Sequence, residues 1–167
     1  MQLGTTQEKL KAVGVETVAV VNTPQERARL YFKYRPARVL LAADPEAATH
    51  RAFGMPTGIF VEDESAASWP QSATMGQVQA VLVNPTGELP APLPIFSAME
   101  VLNQRDAFEL TETDQQIAAT HGNQLAGHFL IDREGIIRWR HIEAGERIDD
   151  LVKFPSDEEI LRAARGL

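Results

Sequence analysis

The chain has 167 residues, of which 44% are apolar and 23% charged, an ordinary balance for a packed globular protein that excludes disorder. Its formal charge is −7 and its lysines and arginines are scattered, so nucleic-acid partners are not expected. It contains no cysteine, which removes disulfides, thiolate metal ligands and cysteine nucleophiles together. The length suits one domain, expected to span 1–167, and no apolar run approaches the roughly 20 residues that cross a bilayer. Residues 1–10 carry no apolar signal-peptide core, so the expected address is the cytoplasm, with no membrane partner.

In chain order, Thr5-Thr6-Gln7-Glu8 has the form of a capping box, predicting a helix through Leu10 and Val13 that stops at Gly14. Thr17 to Val21 (TVAVV) is a β-branched run that suits a strand buried on both faces of a parallel sheet. Thr23-Pro24-Gln25-Glu26 then opens a helix, with Thr23 as cap and Pro24 in the first position. This helix is expected to turn Ala28, Tyr31 and Phe32 inward and to end at Pro36. Val39 to Ala43 reads as a second buried strand, and Asp44-Pro45-Glu46 opens a short helix closing near Gly54. Together these make a βαβ unit.

The middle, set apart as an inserted excursion over about 61–123, is less regular. Val78 to Val83 (VQAVLV) suits a strand, and four prolines between Asn84 and Pro94 demand an extended loop. Ile95, Met99 and Leu102 fall at helical spacing, and Thr113-Asp114-Gln115-Gln116 reads as another capping box. The last third is clearer. Gly127–Ile131, a turn over Asp132–Gly135, and Ile136–Ile142 predict a β-hairpin. Alternation puts His128, Leu130, Ile137, Trp139 and His141 on one face of it. Ser156-Asp157-Glu158-Glu159 caps a final helix with Ile160, Leu161 and Ala164 inward.

The segments GVETVAVVNTPQERARLYF, LLAADPEAATHRAFGMP, GHFLIDREGIIRWRHIE and SDEEILRAARGL resemble the alkyl hydroperoxide reductase/thiol-specific antioxidant family, the peroxiredoxin-like redoxins. They cover about 10–54 and 127–167, and NPTGELPAPLPIFSAMEVLN is similar to an insertion of one redoxin-like branch. The resemblance implies an α/β, thioredoxin-like (peroxiredoxin-type) three-layer sandwich with a mixed sheet. It further implies a thiol-dependent antioxidant oxidoreductase. The family carries a strand and a T-x-x-C or C-x-x-C helix start ahead of the position of Gly14, neither of which this sequence holds. The proline that thioredoxins set before the hairpin is replaced by Leu125 and Ala126, and the family's arginine has no match. The expected fold is therefore N-terminally incomplete and the chain is not itself a thiol peroxidase. The position left open lies between the strands at 17–21 and 128–131. Val78–Val83, a second copy in a homo-oligomer, or a partner chain would fill it; a shortened reading frame is the plainer expectation.

No catalytic residue and no cofactor is assigned. His128, Trp139 and His141 form the one aromatic–imidazole group that alternation brings together, suited to a metal or a planar ligand, with local hydrogen bonding of core residues as the simpler role. Arg138 and Arg140, with Arg133 at the turn, suit an anion, a solvated strand face, or pairing with neighbours such as Glu143. Glu62-Asp63-Glu64 and Asp157-Glu158-Glu159 are read as a solvated loop and as helix-dipole chemistry. A second reading of the whole chain is a thioredoxin-fold module without activity, used for binding or assembly.

Overall fold

The computed structural model describes residues 2–34, 39–84 and 87–167, as a mixed α/β chain with small sheets. It forms two compact units. One comprises 1–49, 127–141 and 154–167; the other comprises 50–126 and 142–153.

The first unit opens with α1 (Gln2–Ala12). Thr5 lies inside this helix rather than capping it, because helical turns already precede it. Gly14 does end it: at φ +83 it takes the left-handed conformation that side chains resist, and its amide bonds Lys11 O at 3.1 Å. Strand β1 (Val18–Val21), helix α2 (Gln25–Tyr34) and strand β2 (Leu40–Ala43) follow. β1 and β2 pair in parallel, Val18 beside Leu40 and Val20 beside Ala42, as the βαβ reading requires. Two expectations fail here. Thr23 Oγ1 has no hydrogen-bond partner, so it does not cap α2. The strands are not buried on both faces: Val18, Val20 and Leu40 are 54%, 43% and 69% exposed, on the face that register gives them in common. The inward packing expected of Tyr31 and Phe32 concerns side chains outside the description of α2, and the stop at Pro36 lies outside the described residues.

Asp44 starts α3 (Ala48–Ala52) by accepting hydrogen bonds from the amides of Ala48 (3.1 Å) and Thr49 (2.6 Å). The cap is thus the carboxylate itself, with Pro45 outside the helix. The first unit resumes at the hairpin, β8 (Gly127–Ile131) and β9 (Ile137–Ile142, its last residue in the second unit), and ends with α7 (Asp157–Ala164). Ser156 and Glu159 make the predicted capping box in full. The unit's core gathers Leu10, Leu130, Ile160 and Ala164, with Val15, Trp139 and Leu161 against them. Asp157 ties α7 to α1 by accepting from Thr6 Oγ1 and Lys9 Nζ.

The second unit holds the elements least legible in the sequence. β3 (Thr57–Phe60) pairs in parallel with β4 (Ser72–Ala73) and antiparallel with β7 (Asn123–Gln124). Gly122, at φ +66, has to be glycine: a Cβ there would stand 3.0 Å from Gly58 O. Val78–Val83 is not one strand. It divides between α4 (Met75–Ala80) and β5 (Leu82–Val83), because Thr74 and Gln77 form a capping box that draws Val78 into a helix. β5 pairs with β6 (Leu93–Pro94), so this segment does not fill the position beside β1. α5 (Ile95–Arg105) buries Ala98 and Leu102 but leaves Met99 outside. The next helix, α6 (Glu112–His121), is boxed by Thr111 and Asp114, not by Thr113.

Candidate functional site

Alternation along the hairpin does bring the three candidate residues together. His128 on β8 and His141 on β9 have ring centres 6.0 Å apart, tilted by 60°. Trp139 lies over His141 at 6.4 Å and 16°, a stacked arrangement, and its indole also packs on the core of the unit. A fourth ring, absent from the sequence reading, completes the group: Phe154 meets His128 edge-on at 5.9 Å. The sequence carried no signal for it, since the segment between β9 and Phe154 has neither helical nor strand period.

The electrostatics of the pair are unusual. Burial first, and then the neighbouring His141, hold the His128 imidazole below the ordinary histidine value. His128 Nδ1 and His141 Nε2 are both buried and neither has a hydrogen-bond partner among the described residues. The Glu159 carboxylate is held low mainly by Ser156, with smaller contributions from the charges of Arg162 and His141. Among the described residues no group of three or more histidine, aspartate or glutamate side chains is placed to hold a metal. Comparison with protein-family models, with curated proteins and with solved structures found no match.

The other sequence candidates resolve into local structure. Arg138 donates to Asp132 Oδ2 at 2.6 Å, and Asp132 also accepts from the amides of Glu134 and Ile136, so the arginine braces the hairpin turn. Glu143, in the second unit, is buried and accepts from the amides of Ala126 (2.9 Å) and Val152 (2.6 Å). Asp63 caps a short 3-10 turn through Ser65. Of the two histidines outside the candidate group, His50 bonds Leu125 O at 3.1 Å and His121 ends α6. No helix among the described residues is long and apolar enough to cross a membrane.

Proposed function

We propose that the chain is a peroxiredoxin-like redoxin module without thiol chemistry, which works by assembly with a second copy of itself. The order βαβ, hairpin, C-terminal helix supports the redoxin reading, as do the sequence segments that resemble that family. The thioredoxin-like sandwich is part of the same proposal. The cysteine count of zero closes the peroxidase route, because the thiolate is the nucleophile in that reaction.

The observation that carries the assembly reading is the open side of the β1–β2 pair. Parallel strands occur almost always with both faces covered. Here Val18, Val20 and Leu40 stand exposed on one face, which they share with Ala42, so the paired strand residues on it are all uncharged. A second copy offers the same apolar face, and a twofold axis places like against like without bringing two negative patches together. Covering three such side chains contributes several kcal/mol at about 25 cal/mol per Å².

The test is Val20→Lys combined with Leu40→Lys, followed by sedimentation velocity. The variant is expected to sediment as a monomer with an unchanged circular dichroism spectrum, while the parent sediments as a dimer. Equal sedimentation of both would refute the assembly surface. Peroxide consumption with a dithiol reductant is expected to stay at the uncatalysed rate for either protein.

A further inference from the structure

We propose that the groove between α1 and α7 binds a small organic anion, its acid group held by Arg162 and Arg165 and its apolar body lying over Leu161. The groove measures about 320 Å³ and is lined by Lys9 of α1 and by Asp157, Glu158, Leu161, Arg162 and the C-cap residue Arg165 of α7. Ligand pockets run from roughly 300 to 1,000 Å³, so this one takes a compact ligand, such as one ring with its acid group. Its sign is the first observation. Three cations stand against two carboxylates, an excess of positive charge in a chain whose formal charge is −7.

The charges are not equally engaged. Asp157 accepts from both Lys9 Nζ and Thr6 Oγ1, so Lys9 and Asp157 neutralise one another. Arg162 Nη2 reaches Glu158 Oε1 only at 3.4 Å, and the two side chains are 74% and 85% exposed, a solvated pair that contributes little. The Arg165 guanidinium makes no ion pair or hydrogen bond among the described residues. Arg162 and Arg165 are three positions apart, hence neighbours on the helix surface, and an acid group between them relieves their mutual repulsion. A guanidinium is always charged and presents a rigid fork that matches a carboxylate or a phosphate in two parallel bonds.

The dipole of α7 favours cations near its C-terminal end and accounts for arginines there. It does not account for the apolar surface beside them. Leu161, one turn before Arg165, packs against the core of the unit and also lines the groove. An acid with an apolar body therefore gains a contact that a bare inorganic anion lacks. The proposal concerns residues of the first unit alone and holds whether or not two copies assemble.

Chemical-shift titration of the isotope-labelled full chain at constant ionic strength tests it, with phenyl phosphate, benzoate and inorganic phosphate as probes. An open groove with two charge-assisted contacts predicts a dissociation constant on the order of 1 mM for the tighter organic acid. Inorganic phosphate should bind more weakly, because it leaves Leu161 uncovered. Shifts in the parent should be confined to the end of α1 and to α7, a readout that does not depend on any variant. Arg162→Gln and Arg165→Gln should each weaken binding about 10-fold, the loss of one charge-assisted contact. Arg140→Gln, at an exposed position outside the groove, should bind like the parent. All three side chains are exposed, so the variants are expected to keep the parent's fold. Whichever organic acid binds more tightly tells a phosphate ligand from a carboxylate one. The proposal is overturned by no shift with either organic acid, by shifts spread over arginines elsewhere, or by equal weakening in Arg140→Gln. Inorganic phosphate binding as tightly as both organic acids also overturns it.

Discussion

His128 binds its proton less readily in the folded chain than in the unfolded one, because burial and then His141 disfavour the imidazolium. The unfolded chain is therefore protonated first as the pH falls. The contribution of His128 to stability is complete above about pH 6.5, declines as the pH drops below that value, and levels off beneath the folded-state value. The neighbouring charge that acts on His128 is that of His141. Urea midpoints should fall between about pH 7 and pH 5.5 in the parent, and the fall should be reduced in His128→Phe. An equal fall in both proteins would contradict this account. A separate loss belongs to lower pH, where Asp157, held low by Lys9 and Thr6, and Asp132, held low by the Ile136 amide, become protonated. Their contribution is present above the unfolded value of 3.8 and is lost as pH falls through the folded one.

Glu143 is a second residue whose environment fixes its role. Its two oxygens take the amides of Ala126 and Val152, while Ala144 and Val152 are held at φ of 48 and 57. Positive φ at a β-branched residue is costly, about 1–3 kcal/mol, and the carboxylate clamp offsets it. Glu143→Ala strands two amides and should destabilise the second unit by about 2–4 kcal/mol in urea unfolding. A change under about 0.5 kcal/mol would show that the clamp is dispensable.

At the scale of elements, α7 is the best supported. Its capping box is complete, its apolar side enters the core with Leu10 and Leu130, and Asp157 binds it to α1. Ile160→Ala should cost about 2–5 kcal/mol, whereas Met99→Ala on the open side of α5 should fall within about 0.5 kcal/mol of the parent. Thermal denaturation separates the two cases, and similar melting temperatures for both would mean that α7 is not part of the core. This helix was readable because Ser156 and Glu159 fix its start without rivals. α6 was misplaced because two boxes overlap in TETDQQ, and the Asp114 carboxylate reaches the Thr111 amide at 2.7 Å. Val78 misled for a related reason: a short apolar run has no period of its own, so the Thr74–Gln77 box decided it. The two-residue strands β4 and β7 depend on partners far along the chain and have no local signature. The His128–Trp139–His141 face was legible because strand alternation is strict, while Phe154 came to it through a loop that no pattern describes.

For the whole molecule, the governing fact is that β1–β2 and β8–β9 are separate sheets, with an apolar face left open on the first. On the reading proposed above, a chain with this surface and no thiol works by assembly with a second copy rather than by peroxide reduction. The most direct measurement is the molar mass in solution by light scattering on a sizing column, across a concentration series. The account predicts a discrete species of twice the 18.4 kDa chain mass, giving way to monomer only on dilution. A soluble monomer of 18.4 kDa at every concentration would contradict it.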